Sequence, residues 1–107
     1  MFAEQHSGHL EDTPLELMGR ARELADALQV RVGAVLLGDQ VEDLAGPLIR
    51  CGADQVFLVQ HPLLKTYQTT SYAKALCGLI QRHEPQIVLY GATVTGLDLA
   101  PRIASAM

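Results

Sequence analysis

The pattern of apolar and polar positions divides the chain into alternating extended and helical stretches. Residues 1–4 read as the last few residues of a strand, and residues 5–9 as a polar connection. Thr13, Pro14 and Glu16 then mark a helix start: the threonine can cap, the proline fits the first helical position, and the glutamate can close a capping box. From there Leu17, Met18, Ala21, Leu24, Ala25 and Leu28 recur at helical spacing, while Arg20, Arg22, Glu23 and Asp26 fall elsewhere. Residues 30–38 are almost continuously apolar, as in a strand buried on both faces. Residues 41–50 look helical, with Gly52 placed as their stop. Gly46 and Pro47 count against the first part of that helix, because an interior proline loses a hydrogen bond and crowds the preceding turn, so a start near Leu44 is expected.

Residues 54–60 form a third strand, broken by His61 and Pro62 because the residue before proline avoids the helical region. Thr69, Thr70 or Ser71 caps a helix carrying Tyr72, Ala73, Leu76, Leu79 and Ile80 on one face, and Pro85 ends it. Residues 86–90 are the fourth strand. The last helix is expected to open between Thr95 and Asp98, with Pro101 favouring a late start that places it in the first turn.

Strands alternating with helices of this length imply parallel pairing through right-handed crossovers. The expected fold is a single α/β domain over residues 1–107: three layers, with a mostly parallel sheet of strand order 3-2-1-4, half of a doubly wound, Rossmann-like fold. Both ends look cut. The first strand lacks the apolar run that normally precedes such an end, and residues 103–107 stop inside a helical pattern without a capping residue, so a piece of a longer protein is expected.

Composition narrows the function classes. A net charge of −4 with scattered lysines and arginines offers no basic stripe for nucleic acid. No apolar run approaches the ~20 residues that span a bilayer, and no signal-peptide pattern opens the chain. Cys51 and Cys77 lack metal or redox spacing and read as small buried hydrophobes in a reducing, cytoplasmic-type compartment. The four histidines show no i, i+4 pair and no cysteine complement, so no metal site is expected, and His83 reads as a cation at a helix end. Ser7, Ser71 and Ser105 lack a nucleophile elbow.

The 3-2-1-4 order puts a crevice between the first and fourth strands, walled by Glu4 and Gln5 on one side and residues 91–96 on the other. Gly91 and Gly96 would let a backbone approach closely, and Thr93 and Thr95 could donate hydroxyls to an anion at the helix start. The run is not G-x-G-x-x-G. Leu97 and Asp98 follow where a P-loop needs Lys and Ser/Thr, and Thr95 with Asp98 can equally be plain helix caps. Asp98 and Arg102, four apart, can form a surface pair. His61, Pro62, Leu63, Leu64 and Tyr67 make an unusually apolar connection, which either folds back on the domain or serves a partner. No acid, base and nucleophile set is present, so an enzyme acting alone is not expected.

Several collinear runs resemble the alpha subunit of electron transfer flavoproteins: Phe-Ala-Glu-Gln at 2–5, Leu-Glu-Leu-Met-Gly-Arg-Ala-Arg-Glu-Leu-Ala at 15–25, Gly52 to Asp54 before a strand, His61 to Leu64 with Tyr67, Tyr72 and Ala73, and Gly91 to Thr93 leading into Gly-Leu-Asp-Leu-Ala-Pro-Arg at 96–102. The resemblance implies the N-terminal domain of that subunit, with a fold like adenine nucleotide alpha hydrolases and universal stress proteins. It implies a cytoplasmic heterodimer (mitochondrial matrix if eukaryotic) with a beta subunit, carrying electrons from flavin dehydrogenases to another acceptor. FAD would be held mainly by a C-terminal domain outside this segment, with none expected on the isolated chain. The domain itself would dock the beta subunit through Leu63, Leu64, Tyr67 and Asp98 and shape the flavin's surroundings. The alternative is a stand-alone ATP- or AMP-binding domain like a universal stress protein, using Gly91, Thr93, Thr95 and Gly96.

Overall fold

The computed structural model of the protein describes residues 1–6, 9–10, 12–83, 85, 88–90 and 93–106. At its centre lies β3 (Gly33–Gly38), five of whose six residues are buried, as expected of a strand covered on both faces. It pairs in parallel with β4 (Gln55–Gln60) over six positions, from Gly33 opposite Gln55 to Gly38 opposite Gln60. β4 is half-buried at Val56, Phe57 and Val59 and exposed at its other positions. On the other side of β3, Phe2 makes a parallel bridge to Val35: the Val35 N–H donates to Met1 (2.8 Å) and the Ala3 N–H donates to Val35 (2.9 Å). The Phe2 N–H in turn donates to the carbonyl of Leu89 at 3.0 Å. Residues 88–90 carry no strand assignment, and Gln86 and Ile87 of the expected fourth strand lie outside the described residues.

Alternation along β3 sends its side chains to opposite faces. Ala34 and Leu36 join a cluster with Met18, Ala21 and Ala25 of α1 (Asp12–Leu28) and Leu48 of α2 (Ala45–Arg50). Val35 and Leu37 join Phe2, Leu64, Tyr72 and Leu76 of α3 (Thr69–His83), and Leu99 and Ile103 of α4 (Val94–Ala106). The sheet thus has an apolar cluster and helices on each face.

Some expectations shift. The connection after the first strand is a two-residue antiparallel ladder, β1 (Gln5–His6) with β2 (His9–Leu10), rather than open chain. Helix α1 opens at Asp12, which puts Thr13 inside the helix instead of at its cap. It stops at Leu28, where Gln29 takes a left-handed conformation (φ 58°) and the Val30 N–H reaches back to Ala25 at 2.9 Å, closing a Schellman-type turn. Residues 30–32, read as strand, are therefore the approach to β3. The second helical stretch splits into a 3₁₀ turn (Glu42–Leu44) and α2, which leaves Pro47 in the first turn of α2, where it is tolerated. Gly52 follows with φ 128°, the stop that its position predicts. Cys51, expected to be buried, is exposed at the end of α2, whereas Cys77 packs partly into the core.

Candidate functional site

The carboxyl end of the sheet is where the crevice was expected. Two polar connections organise it. Thr93 sits immediately before α4 and accepts from the Gly96 N–H (3.0 Å), an N-cap bond to the third helical residue. The same hydroxyl donates to Glu4 Oε1 at 2.5 Å, joining the start of the last helix to the end of the first strand across 89 residues of sequence. Glu4 is 8% exposed, and a carboxylate this buried is held in place by such bonds. The cap at Thr93 explains why α4 opens at Val94, ahead of the expected Thr95 to Asp98. Pro101 consequently lies inside the helix rather than in its first turn. Gly96 is buried, Thr95 is half-buried and lines the crevice, and Gly91 lies outside the described residues.

The second connection is built on Asp98. Its Oδ2 accepts from Tyr67 (2.7 Å) and from Thr69 (2.5 Å), so the segment after β4 and the start of α3 are both held to α4. These hydroxyls, Thr69 first and Tyr67 second, hold the Asp98 carboxyl below its ordinary range. Tyr67 moves the other way, pushed up first by burial and then by the carboxylate it faces. The expected Asp98–Arg102 pair does not form; Arg102 acts on Asp98 through its charge alone. Thr69, expected as one of three possible caps of α3, is instead the helix's first residue and a partner of Asp98.

The apolar connection at 61–67 divides. His61 Nδ1 accepts from the Leu63 N–H (3.1 Å) and starts a 3₁₀ turn (Pro62–Leu64). Leu64 turns inward, 4% exposed, and its carbonyl accepts from the Tyr72 hydroxyl at 2.6 Å. That burial makes Leu64 a core residue rather than a surface contact. Tyr67 rests edge-on against Tyr72, ring centroids 4.9 Å apart. Leu63 points outward at 68% exposure, and Leu97, beside Asp98, is 66% exposed. Leu97 falls within the Gly91 to Asp98 stretch that the sequence reading offers as a partner contact, without being named individually. Its neighbours Gly96 and Asp98 carried the recognisable chemistry, while a single leucine at a helix start reads as core.

The crevice has a volume of about 130 Å³ and is lined by Glu4, Gln5, Lys65, Thr66, Tyr67 and Thr95 among others. Sites for drug-sized ligands and cofactors usually measure roughly 300–1,000 Å³. The Thr93 hydroxyl, the donor an anion would need, is engaged by Glu4. Among the described residues no group of three His, Cys, Asp or Glu is placed to hold a metal, and no helix is long and apolar enough to cross a membrane.

This is an α/β domain in which side chains of three segments bond one another beside a small crevice, with Leu63 and Leu97 exposed. The chain belongs to the electron transfer flavoprotein domain family, whose sequence model matches residues 1–107. It is 52% identical over 105 residues to the electron transfer flavoprotein subunit alpha of Thermoanaerobacterium thermosaccharolyticum, covering 98% of this chain and 32% of that protein. It is 44% identical to the subunit alpha of Megasphaera elsdenii, over 100% of this chain and 32% of the relative. The acryloyl-CoA reductase electron transfer subunit beta of Anaerotignum propionicum matches at 43%, over 98% of this chain and 29% of its own length. The chain spans about a third of the length of these curated relatives.

Proposed function

We propose that the chain is the N-terminal α/β domain of an electron transfer flavoprotein alpha subunit, working as part of a heterodimer that carries electrons from flavin dehydrogenases to a downstream acceptor. The observation that carries this reading is the match over the whole chain to alpha subunits roughly three times as long. FAD belongs mainly to the remainder of such a subunit, as the likeness to flavoprotein alpha subunits roughly three times as long implies. The domain is an electron-carrier part rather than an enzyme, acting in a cytoplasmic-type compartment. The full sheet order is 3-2-1-4, supported by the hydrogen bonds that set residues 1–3 between Val35 and Leu89.

Its own task is to dock the beta subunit at the carboxyl end of the sheet. Leu63 and Leu97 supply exposed apolar anchors on the two segments that Asp98 joins, and Tyr67 stiffens the contact from below. Titration of the cognate beta subunit into wild type, Leu63→Lys and Leu97→Glu tests this. The expected result is a Kd raised at least about tenfold, ~1.4 kcal/mol, with melting temperatures shifted by less than about 2 °C. Unchanged affinity in both variants removes the docking surface. The stand-alone nucleotide sensor is disfavoured by the Glu4–Thr93 bond, and calorimetry with AMP is expected to give no micromolar binding.

A further inference from the structure

The sheet ends in an unguarded edge. β4 pairs with β3 on one side, and among the described residues no strand pairs with it on the other. The Gln55 N–H donates to Val32 and the His61 N–H to Gly38, so residues 55, 57, 59 and 61 turn their peptide groups toward β3. Val56, Leu58 and Gln60 turn theirs outward. Natural edge strands are blunted by lysines, prolines, bulges or inward-pointing charges. The run Gln-Val-Phe-Leu-Val-Gln pairs over six continuous positions with none of these, and Leu58 at its centre is 39% exposed.

We propose that this edge pairs with the same edge of a second copy of the chain, antiparallel about a two-fold axis through Leu58. The strand itself points to that occupant. It reads nearly the same in both directions, so a reversed copy presents matching side chains, and it carries no charge to repel its own image. The hydrogen bonds then select one register. Residues that bond directly across an antiparallel pair must both turn their peptide groups outward. Centred on Leu58, Val56 meets Gln60 of the second copy, Leu58 meets Leu58, and Gln60 meets Val56, and each pair exchanges both of its N–H to carbonyl bonds. A shift toward the carboxyl end sets Pro62, which has no N–H, against Val56. A shift the other way sets Asp54 against Gln60, but the Asp54 N–H is already committed to Val32 at 2.9 Å.

Both faces accept this register. Phe57 and Val59 lie on the side of α3 and α4, where the Phe57 ring rests on His83 with centroids 4.2 Å apart. Pairing sets Phe57 of one copy beside Val59 of the other, an aromatic and β-branched pair of the kind that stabilises sheets. Val56 packs toward α1 and α2, and alternation puts Leu58 on the same face. The axis therefore brings the two Leu58 side chains together on the face where α2 packs and Ile49 is exposed. Gln60 Oε1 accepts from the Val41 N–H at 2.7 Å, which keeps that side chain folded inward and off the edge. One strand from each copy buries little area, so the dimer is expected to be weak. This inference does not depend on the electron-transfer reading.

Sedimentation equilibrium of the chain from about 1 to 500 µM is expected to show monomer and dimer with a Kd of the order of 10–100 µM. Leu58→Lys places a charge at the exposed centre of the edge. It is expected to raise that Kd at least about tenfold, and to move Tm by less than about 2 °C at a concentration where both chains are monomeric. In dimers of one isotope-labelled and one unlabelled copy, a nuclear Overhauser effect is expected between the α-protons of Phe57 and Val59, which face each other across the axis in this register alone. A chain that stays monomeric over the whole concentration range overturns the proposal. So does a dimer that Leu58→Lys leaves unchanged, or one without the Phe57–Val59 contact.

Discussion

The two ends of the sheet solve the same packing problem in opposite ways. At the carboxyl end, Glu4, Thr93, Tyr67, Thr69 and Asp98 draw three segments together with short hydroxyl-to-carboxylate bonds and leave a crevice of about 130 Å³. At the amino end the space between α1 and α3 is about 440 Å³, lined among the described residues by Leu24, Leu28, Leu76 and Leu79 with others. Position in the fold alone would assign a ligand to the first end and nothing to the second. The side chains distinguish the two ends differently: polar atoms satisfy one another at the first, and apolar surface lines the gap at the second.

Equal truncations at the two ends should separate them most. Leu99→Ala, at a fully buried position of α4, is expected to lower the unfolding free energy in urea by about 3 kcal/mol. Leu24→Ala, on the rim of the amino-end slot and 41% exposed, is expected to cost under about 1 kcal/mol. Similar losses would mean the slot is as tightly packed as the rest of the core. Next in size is Thr93→Val, which keeps the shape and removes both the helix cap and the bond to buried Glu4. About 2 kcal/mol of stability should go with it, and a loss within 0.5 kcal/mol would show that the carboxyl end is not held by this residue.

The third expected effect depends on pH. The folded Met1 amine has its pKa lowered by burial from 8.0 to about 6, so between those values the unfolded chain binds the extra proton. Stability from this group therefore rises as pH goes from 6 to 8, by of the order of 1–2 kcal/mol. Acetylating the amine should flatten that slope in a series of urea melts, and a slope that survives acetylation belongs to another group. The smallest effect is at Asp98. Its depressed folded pKa contributes stability that is present above the ordinary carboxylate range and is lost as pH falls through the folded value. Tyr67→Phe removes one donor, so the Asp98 titration followed by NMR should move upward, toward 3.8. An unmoved midpoint would leave Thr69 and the charge of Arg102 as the causes.

What could be read from the sequence was local or periodic. The run at 30–38 placed the buried central strand, the helical spacing of Tyr72, Leu76 and Leu79 placed α3, and Gly52 ended α2. The start of α4 was set too late because Thr95 and Asp98 are both good cap types, and nothing nearby reveals that Asp98 is engaged by Tyr67 and Thr69, some 30 residues away. The crevice walls at Glu4 and Thr95 were legible from topology. That Glu4 closes on Thr93 was not, because the bond joins positions 89 apart. The division of Leu63 from Leu64 depends on a 3₁₀ turn that His61 caps with its own ring, and hydropathy treats the two leucines alike.

Arg22 has a mechanical consequence. Its guanidinium reaches Asp26 on its own helix (2.9 Å), Asp54 ahead of β4 (3.0 Å) and the carbonyl of Gly52 (2.9 Å), while Asp54 also accepts from the Val32 N–H at 2.8 Å. One side chain therefore works as a strut between the middle of α1 and the turn feeding β4, and Asp54 extends it to the entry of β3. Opening either turn breaks bonds that it shares with the other. In amide exchange the two turns are expected to open together.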